Sequence, residues 1–138
     1  MKNILIPIGP YTDPSPLLEL RDLIKGFEDS NITLLGVLTV PFVTPLEESG
    51  LKDTEPYKRI RDKVLEAEEF LRNMNKNIRS RIVVARSVPE AIVEVALSEE
   101  YDLIILIKRA RPPKLLHRSV SQAVISKMPR PILILTME

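Results

Sequence analysis

Apolar positions along this chain alternate between short continuous runs and stripes spaced three or four residues apart. "NILIPI" (Asn3–Ile8) is an isoleucine-rich run bounded by Gly9-Pro10, the pattern of a strand buried on both faces. "DPSPLLELRDLIKGF" opens with helix-start residues and then repeats Leu17, Leu20, Ile24 and Phe27, a stripe that predicts a helix. A second strand is predicted over Asn31–Val40 and is ended by Pro41. The stretch 41–56 holds three prolines and no period, so it reads as a loop with some flexibility. From Tyr57 onward, Ile60, Val64, Ala67, Leu71 and Met74 line one face of a long charged helix. "SRIVVA" predicts the third strand, Pro89 starts a helix through "EAIVEVALSEE", and "YDLIILI" is the fourth strand. "SVSQAVISKM" predicts a short helix and "RPILILT" the fifth strand.

This order, β-α-β-α-β-α-β-α-β, predicts an α/β fold: one doubly wound parallel sheet of five strands with helices on both faces. Ligands of such folds sit beyond the carboxyl ends of the strands, where the strand order reverses. The segments after strands one and four are therefore the candidates.

Composition narrows the chemistry. The 138 residues suit a single domain, 1–138, with 44% hydrophobic and 28% charged residues, an ordinary soluble composition. No cysteine is present and His117 is the single histidine. Thiol catalysis, disulfides and a multi-histidine metal site are excluded. No apolar run approaches the roughly 18 residues of a membrane span, and "MKNILIPIG" lacks a cleavage pattern. The expectation is a cytoplasmic protein without membrane contact. Neither a G-x-S-x-G elbow nor a Walker loop occurs, so no catalytic residue is nominated and a non-enzyme is expected. A receiver domain shares the alternation, but it needs an acidic pocket at the strand ends, where this chain offers only Asp13.

Charge is uneven. Residues 1–70 carry 8 Lys/Arg against 13 Asp/Glu, while residues 71–138 carry 12 against 6. Within the second half, Lys108, Arg109, Arg111, Lys114 and Arg118 crowd the loop after the fourth strand. Three readings stay open. The loop can be a solvated surface that partners the acidic half. It can be an anion receptor, since Arg grips phosphate or carboxylate without needing glycine. It can be a nucleic-acid surface, although three Tyr and three Phe in the whole chain leave little for stacking. Ser119 and Gln122 form S-x-x-Q, a helix-capping signature, and a helix start can also hold an anion.

The segments "ILIPIG", "ARSVPEAIVEVA" and "DLIILI…RSVSQAVISKMPRPILIL" resemble the universal stress protein family along the whole chain. The resemblance implies strand order 3-2-1-4-5 and a stress-response role. Some members bind ATP through a glycine-rich loop after strand four, in which backbone N–H groups can approach phosphate closely. Here the corresponding positions hold Ile107, Ala110 and Arg118, and none of the four glycines (Gly9, Gly26, Gly36, Gly50) lies beyond residue 50. The Asp that ATP-binding members place after strand one aligns with Gly9, and Arg86 fills a small-residue turn after strand three. The resemblance thus implies a member with a degenerate nucleotide site, without a cofactor such as ATP or AMP. Its expected work is regulatory, as a homodimer joined through the fifth strand at Pro131, Ile132, Leu133, Ile134 and Leu135, with a further protein partner. The rival expectation is a nucleotide or anion sensor that uses the basic loop. Ligand contacts for either would come from Gly9, Val40, Ile107, Lys108, Arg109, Arg111, Arg118, Ser119, Val120 and Ser121.

Overall fold

The structure is a computed structural model and describes residues 2–40, 50–52, 54–109 and 120–137. Five parallel strands form one sheet in the order β3-β2-β1-β4-β5; the alternation predicts the parallel sheet and the resemblance implies its order. They are β1 (Asn3–Ile8), β2 (Asn31–Thr39), β3 (Ile78–Ala85), β4 (Leu103–Arg109) and β5 (Ile132–Met137). The helices are α1 (Leu20–Leu23), α2 (Glu55–Leu71), α3 (Val88–Ser98) and α4 (Val120–Lys127).

The inner strands carry apolar residues on both faces because two separate cores press on the sheet. Ile4, Ile6 and Ile8 of β1 face α1 and α2, joined there by Leu17, Leu20, Phe27, Ile60 and Val64. Leu5 of the same strand, with Leu35 and Val37 of β2 and Ile104 and Leu106 of β4, faces α3 and α4. Gly36 lets α2 lie close: a Cβ there would stand 2.5 Å from Ile60 Cγ2.

The first predicted helix is broken. Ser15–Glu19 and Phe27–Asp29 are 3-10 turns flanking the single α-helical turn of α1. Pro14 and Pro16 remove N–H donors at the start, Ile24 is extended (φ −122°, ψ 116°), and Gly26 turns left-handed at φ 76°. Its predicted stripe is nevertheless buried, with Leu17, Leu20 and Phe27 at 0% exposure. Burial of the stripe and its local conformation have separate causes. Other differences are at boundaries. β3 starts two residues before "SRIVVA", β4 continues through Lys108 and Arg109, and Glu55 and Pro56 of the predicted loop already belong to α2. Thr54 caps that helix by accepting from the Tyr57 N–H. Within the predicted loop, residues 41–49 and 53 lie outside the described residues.

The amino ends of the strands are tied by side chains. Asn75, 4% exposed, donates from Nδ2 to Phe27 O and to Ser30 O (both 2.7 Å), and its Oδ1 accepts from the Asn77 N–H. Arg79 and Arg81 both reach Glu99, at 3.2 and 2.6 Å. The Tyr101 hydroxyl, on a ring 2% exposed, donates to the same carboxylate at 2.8 Å. That hydroxyl, more than the two guanidinium groups, holds the Glu99 pKa below its ordinary value, and by accepting from Arg79 at 3.4 Å it raises the pKa of that guanidinium. The ion pairs between described residues are all local, within α2 and its end or within this cluster. The basic loop whose charges were expected to partner the acidic half lies, from position 110 to 119, outside the described residues.

Candidate ligand-binding cleft at the carboxyl ends of the strands

β1 registers with β2 over its full length, from Asn3–Asn31 to Ile8–Gly36, but with β4 at only two positions, Ile4–Leu103 and Leu5–Ile104. Proline at position 7 accounts for the difference. Asn3 turns both backbone groups toward β4: its carbonyl accepts from Asp102 N–H and its N–H donates to Asp102 Oδ2, each at 2.8 Å. Alternation along a strand then points Leu5 and Pro7 the same way, and Pro7 has no N–H to give. The ladder stops, and β1 and β4 part toward their carboxyl ends.

A cavity of about 220 Å³ opens in that parting. Its floor is Pro7, Ile8 and Gly9 from the end of β1, with Leu106 and Ile107 of β4. Leu35 and Val37 of β2 and Val88 and Ile92 of α3 form one wall, and Val120 and Ser121 at the start of α4 form another. Pro10 and Thr12 complete the rim. Among the described residues that line it, none is charged.

The turn leaving β1 is closed on itself. The Gly9 N–H donates to Thr12 Oγ1 at 2.8 Å, and the Thr12 N–H returns to Gly9 O at 3.2 Å. The Gly9 amide is therefore already bonded and does not face the cavity as a free donor for an anion. Thr12 is 8% and Ser121 7% exposed, and Ser121 makes no hydrogen bond among the described residues.

Of the residues nominated from sequence, the cavity brings together Gly9, Ile107, Val120 and Ser121. Val40 packs toward the α2 side and gives its N–H to Ala85 O. Lys108 and Arg109 are exposed at the end of β4 and do not line the cavity. Arg111, Arg118 and Ser119 lie outside the described residues, as does the Ser119 side of the capping signature. Thr12 was not nominated. Its signal was a hydroxyl three residues after Gly9 in "GPYT", the spacing at which a Thr side chain bonds back to the backbone.

Among the described residues, no group of three or more His, Cys, Asp or Glu could hold a metal ion, and no helix is long and apolar enough to cross a membrane.

A doubly wound domain with order 3-2-1-4-5 and a cleft at its β1/β4 reversal defines the class. The chain matches the family model described as the Universal stress protein family over residues 1–136, and it belongs to that family. Solved structures agree in fold. A universal stress protein from Archaeoglobus fulgidus superposes with a TM-score of 0.74 at 18% identity, covering 97% of this chain and 98% of that one. The protein MJ0577, described in a structure-based assignment of biochemical function, gives 0.72 at 25% identity over 99% and 96%. A universal stress protein solved with cAMP gives 0.71 at 20% identity over 96% and 95%. No curated protein matches the chain.

Proposed function

We propose that this member of the universal stress protein family is a non-catalytic regulatory domain that does not hold ATP tightly and acts through protein contacts as a dimer. The observation that carries the first part is the lining of the β1/β4 cleft, where no described residue is charged. A triphosphate carries about four negative charges, and moving it onto described walls that offer two hydroxyls and no charge is strongly unfavourable. The bonded Gly9 amide and the absence of glycine after residue 50 remove the usual backbone alternative.

The dimer part rests on the β5 edge. Ile132–Met137 carries no charge, Ile134 is 36% exposed, and a groove of about 600 Å³ runs between this strand and the Ser15–Glu19 turn. An uncharged edge strand with open backbone groups invites pairing. At the other edge, β3 presents Arg79 and Arg81, which discourage it.

A relative holds cAMP, and that favours the second reading, a nucleotide or anion sensor in which Arg109, Arg111 and Arg118 supply the donors. Calorimetric titration with ATP, AMP, cAMP and phosphate at low salt separates the two. Silence toward ATP is expected. Micromolar binding lost in an Arg111→Ala, Arg118→Ala variant would establish the sensor instead. Sedimentation of an Ile134→Glu variant tests the dimer: conversion to monomer is expected, and an unchanged sedimentation coefficient would remove β5 from the interface.

A further inference from the structure

We infer that the β1/β4 cleft is a binding site for a small uncharged molecule with an apolar body of one or two rings and a single hydrogen-bonding edge. This deepens the proposal above and rests on its statement that the cleft does not hold ATP tightly.

Size sets the first limit. A cavity of about 150 Å³ lined by aliphatic side chains takes benzene, and drug-sized ligands occupy about 300–1,000 Å³. At about 220 Å³ the cleft lies between them. Lining sets the second. Proline rings and branched aliphatic side chains from five elements cover its walls, and no described lining residue is charged. A charged group entering there would lose its hydration without compensation.

The polar edge is set by two hydroxyls. Ser121 is 93% buried by its 7% exposure, lines the cavity and bonds to nothing among the described residues. A hydroxyl that lines a cavity and bonds to no described residue is free to bond whatever enters there. The Thr12 oxygen accepts from Gly9 N–H, but its own proton has no acceptor among the described residues. Ser121 can donate or accept, and Thr12 can donate. A ligand with one N–H or one ring acceptor satisfies this pair, whereas a phosphate would need several charge-assisted donors.

Indole and benzimidazole are the probes, with adenosine and AMP beside them, titrated into the isotopically labelled full chain and followed by amide and methyl NMR shifts. Saturable shifts at Leu35, Val37, Leu106 and Ile107 with a Kd on the order of 0.1–1 mM are expected for a fragment of this size. Ser121→Ala should weaken the binding roughly 2- to 10-fold, the range of one neutral hydrogen bond. Ser121→Leu, which fills the cavity, should abolish it, with cooperative urea unfolding of the variant checked beside it. Binding of AMP or adenosine with both probes silent would overturn the inference, and so would silence toward all four compounds. Micromolar binding of ATP in the same spectra would overturn the broader proposal; silence of the probes with ATP also silent would overturn the inference alone.

Discussion

The two ends of the sheet are built on opposite principles. At the amino end, polar side chains are numerous and bonded to one another. Asn75 spans two carbonyls and an amide, Asp102 pins β1 to β4, and Tyr101, Arg79 and Arg81 converge on Glu99. A hollow of about 390 Å³ lies there, larger than the cleft. Yet Thr33, Arg79, Glu99 and Tyr101 in its wall are held in each other's hydrogen bonds. At the carboxyl end, the strands part, the walls are aliphatic, and the Ser121 hydroxyl bonds to none of the described residues. Size alone would select neither, since the groove beside β5 is larger than both. Satisfied polar groups stabilise a fold, and unsatisfied ones in a cavity are the mark of a ligand.

If that contrast is right, substitutions at the two ends should separate cleanly. Asn75→Ala should have the largest effect. It leaves two carbonyls and one amide without their partner, at about 1–3 kcal/mol for each buried group that water cannot reach, so a loss of about 3 kcal/mol in urea unfolding is expected. A loss below 0.5 kcal/mol (roughly the limit for an inconsequential surface change) would mean the amino end is not the stabilising end. Tyr101→Phe removes one donor from Glu99 and should cost about 1 kcal/mol.

The same tyrosine has a pH signature. The Glu99 pKa is lower in the folded state than in the unfolded chain. Its contribution to stability is therefore complete above the unfolded glutamate pKa of about 4.3 and is lost as pH falls through the folded value. Glu99→Gln should flatten the acid limb of the stability curve, and an NMR titration of Glu99 in Tyr101→Phe should move upward, toward the ordinary carboxylate range. An unmoved titration would assign the depression to the two arginines instead.

Smaller effects belong to the carboxyl end. Pro7→Ala restores an N–H facing β4, and hydrogen exchange at that new amide should show protection if the ladder closes by one rung. Rapid exchange there would mean that something other than the proline holds β1 and β4 apart. Ser121→Ala should change stability least, between zero and about 1 kcal/mol in the stabilising direction, because it removes a buried hydroxyl that bonds to none of the described residues. A clear destabilisation would show that the hydroxyl is bonded after all and would weaken the contrast at its centre.

The alternation of runs and stripes was enough to determine a parallel sheet of five strands, whereas the strand order and its reversal between β1 and β4 came from the family resemblance. Burial on both faces leaves a period-free apolar run, and a helix on one face leaves a stripe, so each element writes its packing into its own residues. The stripe Leu17, Leu20, Ile24, Phe27 was legible as a buried face, but the backbone that carries it was not. Prolines at 14 and 16 and the left-handed Gly26 gave local signals that the periodicity outweighed. Gly9, Ile107, Val120 and Ser121 could be nominated from their places at the ends of elements. Thr12 carried a local signal that went unused, whereas Val37 and Ile92 could not be singled out, because they are ordinary residues until strand and helix converge. Whether a buried hydroxyl has a partner, and whether a proline's missing N–H faces β2 or β4, depends on neighbours distant in the chain. Only the tertiary structure decides such questions, since strand pairing and helix packing bring those neighbours into contact.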